Sequence, residues 1–191
     1  MSSAAIRKQC TTDEYLGFER RSSVKHEFRD GEIVAMPGAS LFPNLIAGNL
    51  FGEIRQQLKG RPCRVYTNDL RVCVDADGFY TYPDVVAVCG TPRLLDDAQD
   101  TLLNPSVLIE VLSPSTEAYD RGAKFARYRR IESLCEYVVV AQDRVWIELF
   151  TRDGDDWSSN VLTSLEDELR LGAIGVAVPV REIYAEVPRL S

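Results

Sequence analysis

The sequence is poor in the residues that build zinc sites and disulfide frameworks. Its 191 residues include one histidine, His26, and five cysteines that are scattered and never form a C-x-x-C pair. Neither a structural zinc site nor a disulfide framework is therefore indicated. We interpret Cys73 and Cys89 as small apolar residues of strands, and His26 as a surface or structural residue. A reducing, cytoplasmic environment is expected.

Long apolar runs and an excess of basic residues are also missing. No window approaches the length of a membrane span, and Met1 to Cys10 lack the apolar stretch of a signal peptide, so we expect no membrane association. The net charge is −7, from 22 basic and 29 acidic residues, which argues against nucleic-acid binding by bulk electrostatics but leaves local phosphate contacts open. The hydroxyls of Pro114-Ser115-Thr116 lack the histidine partner that a serine nucleophile requires, so a Ser-His-Asp hydrolase is not indicated.

The remaining composition predicts one mixed α/β domain. An apolar fraction of 45% is enough for a sizeable core, and no linker or repeat divides residues 1–191, whose core runs from about 13 to 185. Apolar periodicity predicts helices over about Asp13–Glu19, Leu45–Leu58 and Glu117–Ile131. It also predicts a hairpin over Glu27–Met36 that turns at Asp30-Gly31, strands over Val65–Thr67, Leu70–Val74, Asp84–Val88, Val107–Leu112 and Tyr137–Val140, a late hairpin over Val145–Phe150 and Trp157–Thr163, and a final helical turn over Arg181–Tyr184.

Two of the predicted strands carry one carboxylate each. Asp84 follows Pro83 at the start of one strand, and Glu110 interrupts an otherwise apolar strand. A buried carboxylate is unfavourable unless a metal, a proton or an opposite charge compensates it. The helix that follows offers Lys124. Acids on neighbouring strands could hold a hard cation, Mg²⁺ or Mn²⁺, and a lysine could orient water or stabilise negative charge during phosphodiester hydrolysis.

These residues resemble a known pattern. A Pro-Asp strand followed by an acid-bearing strand is similar to the PD-(D/E)XK nuclease superfamily. The stretches YPDVV (82–86), IEVLSPST (109–116) and YDRGAKF (119–125), with Tyr128, resemble more closely the Uma2 family of restriction-endonuclease-like proteins. The resemblance extends from about Asp13 to Tyr184.

The resemblance implies a fold, an activity and a set of residues. It implies a restriction-endonuclease-like core with a central mixed sheet flanked by helices, acting as a Mg²⁺- or Mn²⁺-dependent endonuclease on DNA, as a homodimer and without an organic cofactor. Carried over residue by residue, Asp84 and Glu110 become metal ligands and Lys124 the catalytic lysine. Asp69 becomes a third acid and metal ligand, and Tyr128 positions Lys124 or a phosphate. Glu32 is a further candidate acid, with Glu27 behind it.

The sequence departs at two positions from the pattern of the families that it resembles. The lysine expected two residues after Glu110 is replaced by Leu112, so the resemblance implies that it has moved to the next helix, where Arg121, Lys124 and Tyr128 are spaced to share a face. Pro43 stands where related sequences often have histidine. Arg127 and Arg130 point outward and could meet phosphates.

Each candidate also has a plain structural interpretation. Asp84 could cap a strand, Glu110 could form a buried ion pair with Lys124 or Arg121, Asp69 could be a turn residue, and Glu32 a solvated one. The alternative to an enzyme is a catalytically weak or inactive module that keeps the fold and binds nucleic acid or protein.

Overall fold

The computed structural model describes residues 5–7, 9–36, 38, 40–75, 78–113 and 116–188. Two six-stranded sheets and a two-stranded ribbon are flanked by helices, which confirms the mixed α/β class. The helical elements are α1 (Thr12–Glu19), α2 (Leu41–Gln57), α3 (Glu117–Tyr119), a π-helical segment (Asp120–Lys124), α4 (Phe125–Tyr128) and α5 (Val180–Ile183).

The central sheet contains the strands that were most evident in the sequence. Its order is β12 (Asp156–Leu162), β11 (Ile147–Asp153), β10 (Glu136–Ala141), β9 (Val107–Leu112), β7 (Val85–Cys89) and β4 (Cys63–Thr67). β9 and β10 pair in parallel, whereas the other neighbours are antiparallel. Both central strands are buried along their whole length, which explains why they are almost continuously apolar.

The second sheet includes the predicted early hairpin. Its order is β1 (Ala5–Arg7), β3 (Glu32–Ala35), β2 (His26–Arg29), β6 (Phe79–Thr81), β5 (Arg71–Asp75) and β8 (Thr101–Leu102). The turn between β2 and β3 lies at Asp30-Gly31, as predicted, with both residues at positive φ (49° and 85°). β1, β6 and β8 were not predicted because two or three residues are too few to show alternation. The ribbon of β13 (Glu168–Leu171) and β14 (Val176–Pro179) was also missed.

Three apolar cores separate the layers. One lies between the central sheet and α2, and includes Ile46, Leu50 and Ile54. A second lies between the two sheets and also takes in Tyr128. A third lies beneath α1, against the outer face of the second sheet, and includes Phe28. Side chains that alternate with Phe28 in β2 therefore point inward, toward the central sheet.

Helix α2 begins four residues earlier than the apolar pattern predicted. The N-cap is Ser40, and Pro43 is the third helical residue. Proline is tolerated there because the N–H groups of the first turn have no intrahelical acceptor. The helix ends at Gln57, close to the predicted end.

The predicted helix over Glu117–Ile131 is a composite of three pieces. α3, the π-helical segment and α4 follow one another without a break, and the last helical residue is Tyr128. We call residues 117–128 the composite helix. The wider π-helical turn changes which residues share a face. Lys124 and Tyr128 are buried as expected, but the side chain of Arg121 is 42% exposed, so the prediction that Arg121 shares their face was wrong.

The cysteines correct another expectation. Cys63 and Cys89 lie directly opposite each other in β4 and β7 and form a disulfide. This pairing was not predicted because it depends on the register of two strands, which brings together cysteines that are 26 residues apart in the sequence. Cys73 is buried and free, as interpreted. Within the described ranges, every helix is too short or too polar to cross a bilayer.

Candidate active site

The acids of β7 and β9 lie side by side. The two strands pair antiparallel with Val85 opposite Ile109, and continuing this register by one residue brings Asp84 opposite Glu110. Opposed residues of an antiparallel pair share a face of the sheet. Asp84 is held in place because its Oδ2 accepts a hydrogen bond from the Val111 backbone N–H at 2.7 Å. Two predicted site residues are therefore neighbours.

Lys124 completes the site from the composite helix. Its Nζ lies 2.8 Å from Glu110 Oε1, 3.2 Å from Glu27 Oε1 and 3.6 Å from Asp120 Oδ1. The lysine side chain is only 5% exposed, and the three acids are similarly buried. One ammonium group is thus shared among three carboxylates. We call Lys124, Glu110, Glu27 and Asp120 together the lysine cluster.

Tyr128 fixes the orientation of Glu110. Its hydroxyl donates to Glu110 Oε1 at 2.7 Å, and its ring packs edge-on against Phe79 and Tyr137. Glu110 Oε1 therefore accepts from both Tyr128 and Lys124. In the part of the chain that the structure describes, the second oxygen, Oε2, has no hydrogen-bond partner.

Although it was only a secondary candidate behind Glu32 in the sequence, Glu27 belongs to the lysine cluster. It lies in β2 on the face opposite Phe28, and its Oε1 accepts a hydrogen bond from the Thr81 hydroxyl at 2.5 Å. Arg29 donates to Oε2 from both Nε and an Nη. The inward-pointing acid in the short segment HEFR was the available signal. Its burial depends on the central sheet, which local periodicity does not reveal.

Glu110 and Glu27 have pKa values that lie far apart. Burial raises the pKa of Glu110 to about 8, and the charge of Lys124 only partly opposes this. Burial also acts to raise the pKa of Glu27, but Lys124 and Arg29 outweigh it and lower the pKa to about 2. Burial lowers the pKa of Lys124, yet the nearby acids hold it well above its ordinary value. Such divergent acids are typical of functional sites.

The donor set of Asp84 and Glu110 fits a hard divalent cation. Burial raises the pKa of Asp84 as well, so both acids lie where added positive charge would favour the ionised form. In each, one carboxylate oxygen has no hydrogen-bond partner within the described residues. Over the same residues, no group of three or more histidine, cysteine or acidic side chains could hold a metal. Two carboxylates still match Mg²⁺, which commonly keeps water and substrate oxygens as its other ligands.

The other predicted acids lie outside the lysine cluster. Asp69 is in the turn after β4, where its side chain is 81% exposed and contacts Lys25 Nζ at 2.6 Å. Glu32 is half-buried in β3, opposite Arg29 at the turn end of the hairpin. Glu32 points to the same face of the second sheet as Glu27, but its partner across the strands is Arg29 and not Glu27. The structure thus brings neither acid to Lys124, and their roles stay predictions.

Leu112 and the outward arginines have defined environments. Leu112 is buried in the core between the sheets, so the position two residues after Glu110 serves packing. Arg127 forms an ion pair with Asp30, and Arg130 lies 3.6 Å from Asp75 with a side chain that is 68% exposed. Contact of these arginines with phosphates stays a prediction.

His26 belongs to a separate buried network. Its Nδ1 lies 2.8 Å from Glu19 Oε2, and Glu19 Oε1 accepts from the Tyr82 hydroxyl at 2.9 Å. Tyr82 in turn accepts from Arg71, which forms an ion pair with Asp100 at 2.8 Å. His26 is therefore structural and is not a surface residue. The network braces α1 against β2 and β5.

Comparisons with known proteins bear on the family and the fold. A family model, Uma2, described as "Putative restriction endonuclease", matches residues 12–181. Two proteins of Synechocystis sp. are similar: slr1290 is 38% identical over 176 residues (90% of each chain), and sll1609 is 34% identical over 169 residues (88% of this chain, 94% of that one). A crystal structure of "a putative nuclease belonging to DUF820" from Anabaena variabilis matches with a TM-score of 0.75 at 15% identity, covering 92% of this chain and 97% of that one. That likeness concerns the fold, and it confirms the predicted architecture.

Proposed function

Because this chain belongs to the Uma2 family, we propose that it is a metal-dependent endonuclease that hydrolyses phosphodiester bonds of DNA. The observation that carries the proposal is the 2.8 Å contact of Lys124 Nζ with Glu110, on the strand beside Asp84. Two acids and a lysine at one point supply the ligands and the positive charge that phosphodiester hydrolysis needs. Leu112 shows that the lysine of the strand pattern is missing, and Lys124 provides an amine from another element.

Asp84 and Glu110 are the residues that would hold Mg²⁺ or Mn²⁺. When bound, such a cation polarises the scissile phosphate and lowers the pKa of bound water. Because burial raises the pKa of Glu110 to about 8, this carboxyl would have to lose a proton in order to hold a cation near neutral pH. Affinity for the cation is therefore expected to rise with pH between about 6 and 8.

Lys124 supplies a fixed positive charge beside the acids. Glu27 contacts the ammonium at 3.2 Å, and together with Glu110 it holds the pKa of Lys124 well above its ordinary value. Tyr128 keeps Glu110 in one orientation through the 2.7 Å hydrogen bond. A preorganised charge of this kind stabilises the negative oxygen that develops on the phosphate during hydrolysis. Glu27 and Tyr128 are positioning residues in this scheme.

The test is nicking of supercoiled plasmid with Mg²⁺ or Mn²⁺. We expect the wild type to cut, and Glu110→Gln and Lys124→Met to lose cutting at least a hundredfold, by analogy with the loss of other transition-state contacts (~10²–10³). Asp153→Ala, an exposed acid at the end of β11, is the control and should cut normally. Asp69→Ala tests the predicted third ligand. Cutting that survives in both Glu110→Gln and Lys124→Met, with circular dichroism showing folded protein, would defeat the proposal.

A second candidate is a non-catalytic module that keeps the fold. Its support is that Lys124 is satisfied internally by three buried carboxylates, as in a purely structural ion cluster. Thermal unfolding separates the two candidates, since a cation that binds the folded state raises Tm. A rise with Mg²⁺ that is lost in Asp84→Ala favours the enzyme. No rise at saturating Mg²⁺ favours the module.

The homodimer also stays a prediction. It comes from what the superfamily does with duplex DNA, and light scattering coupled to size exclusion measures it directly. A mass of about 21.4 kDa, that of one chain, would contradict it.

A further inference from the structure

A groove of about 530 Å³ lies along the open edge of the central sheet, between β4 and α2. β4 is the last strand of that sheet, so its outer edge is not covered by another described strand. The groove is separate from the lysine cluster. We call it the basic groove. Its lining includes four cations and two aromatic rings, those of Arg55, Lys59, Arg61, Arg64, Phe51 and Tyr66.

The sequence builds one wall of the basic groove by helical spacing. Phe51, Arg55 and Lys59 are four residues apart, so they follow one stripe along α2 and the turn after it. The neighbouring residues Ile54 and Leu58 are buried in the core beneath the helix. The apolar side of α2 is thus used for folding, while the stripe beside it presents two cations and a ring to the groove.

The positive charge of the basic groove is not neutralised by the protein. Within the described residues, Arg55, Lys59 and Arg64 are exposed and have no carboxylate partner. Arg61 donates to the Gly175 carbonyl at 2.6 Å, which holds its guanidinium without cancelling its charge. The chain as a whole has a net charge of −7, so a local set of unpaired cations is what a polyanion would need in order to bind.

One end of the basic groove lies one strand away from the proposed active site. Thr67 lines that end and pairs with Val85, the residue that follows Asp84, and neighbouring strands are ~4.8 Å apart. Val85 faces the core under α2, and successive side chains of a strand alternate in face, so Asp84 points toward the second sheet. A DNA strand that leaves the groove at Thr67 therefore passes around the end of β4 to reach the acids. From Thr67 back to Cys63 the strand rises ~13 Å. Successive phosphates of one DNA strand are ~3.4 Å apart along the duplex axis, and farther apart when the strand is extended, so this length holds up to about four of them.

We propose that the basic groove binds the sugar–phosphate backbone of a single DNA strand, which passes around the end of β4 to reach Asp84 and Glu110. The cations contact phosphates, and the half-buried rings of Phe51 and Tyr66 offer surfaces on which bases stack, the combination used by proteins that bind single strands. The path of the DNA strand from the groove to these acids rests on the nuclease function proposed above. Binding itself requires no cleavage and is measured without it.

The experiment is fluorescence anisotropy of a labelled single-stranded oligodeoxynucleotide, titrated with the full-length protein in EDTA at several KCl concentrations. The test variant is Arg55→Ala/Lys59→Ala. The matched control is Arg7→Ala/Arg21→Ala, which removes two positive charges from exposed arginines beside α1 that, within the described residues, have no carboxylate partner either. Each phosphate contact with a single strand contributes about 0.7 to the slope of log K against log salt. The test variant should therefore lose about 1.4 from the slope and bind about 25-fold more weakly at ~0.1 M salt.

Plasmid nicking by the same proteins separates this proposal from the proposed function. Weaker binding in the test variant but not in the control supports the basic groove, whether or not the protein cuts DNA. Equal binding by the wild type and the test variant overturns it, as does an equal loss in the control, even if cutting depends on Glu110. Absence of cutting by a wild type whose binding depends on Arg55 and Lys59 would refute the nuclease function alone.

Discussion

Replacing Glu110 by glutamine isolates the charge of this carboxyl from its shape. The Oε1 atom of either side chain can accept from Tyr128 and Lys124, as it does in the wild type. The glutamine NH₂ takes the place of Oε2, which has no hydrogen-bond partner within the described residues. The substitution therefore removes little besides the ability to become negative, so its effect on the free energy of unfolding should depend on pH.

The magnitude follows from the pKa. Burial raises the pKa of Glu110 from 4.5 to about 8, so between these values the folded protein retains a proton that the unfolded chain has lost. The stability of the wild type therefore falls as pH rises from 4.5 to 8, and Glu110→Gln does not share this fall. At ~1.4 kcal/mol per pKa unit, the difference reaches ~3 kcal/mol at pH 7 and at most ~5 kcal/mol at pH 8.

The assay is urea unfolding of both proteins at pH 5 and pH 8 without divalent cations. We expect similar stability at pH 5 and a more stable Glu110→Gln at pH 8, by a few kcal/mol. Asp153→Asn, at an exposed site, is the control and should show no such change with pH. If the difference between Glu110→Gln and the wild type were the same at both pH values, the assignment of a buried, largely protonated Glu110 would be refuted.

Three further outcomes are expected. Because Lys124 and Arg29 lower the pKa of Glu27 to about 2, Glu27→Gln should lose ~3 kcal/mol of stability at neutral pH. That loss should shrink as pH falls from 4.5 toward 2, and acid titration showing a constant loss would count against the ion pair. Saturating Mg²⁺ should raise the Tm of the wild type more at pH 8 than at pH 6, a pattern that equal shifts at the two pH values would contradict. Arg121→Ala should change stability by less than ~1 kcal/mol and leave nicking intact, because its ion pair with Glu148 is partly exposed; a loss as large as that in Lys124→Met would place Arg121 in the site.

The parts of the fold that the sequence reveals are those with strong local patterns. β9 and β10 are apolar along their length, and the hairpin turn at Asp30-Gly31 has the residues that positive φ requires. The pair Asp84 and Glu110 was identifiable because an acid in an apolar strand contradicts its surroundings. Lys124 was reached through family resemblance; its Nζ lies 2.8 Å from Glu110 Oε1, and its catalytic role stays a prediction.

The features that could not be predicted from the sequence depend mostly on contacts between elements that are far apart in the chain. Glu27 is buried because the second sheet packs on the central one, and the four residues of β2 do not show by themselves which of their faces the central sheet covers. Cys63 and Cys89 meet only once β4 and β7 are in register. The residue types of the π-helical segment do not reveal its wider turn. That turn nevertheless changes the face of the helix on which Arg121 lies.

The parallel pairing of β9 with β10 has a consequence for how such a site can evolve. Parallel neighbours require a crossover, and the chain between these strands includes the composite helix, which brings Lys124 and Tyr128 back over Glu110. A lysine on the strand itself would be confined to positions two residues apart, since only these share a face. A lysine supplied by the crossover is independent of that period. Position 112 is then released from chemistry, and selection can fill it with the leucine that the core accommodates best.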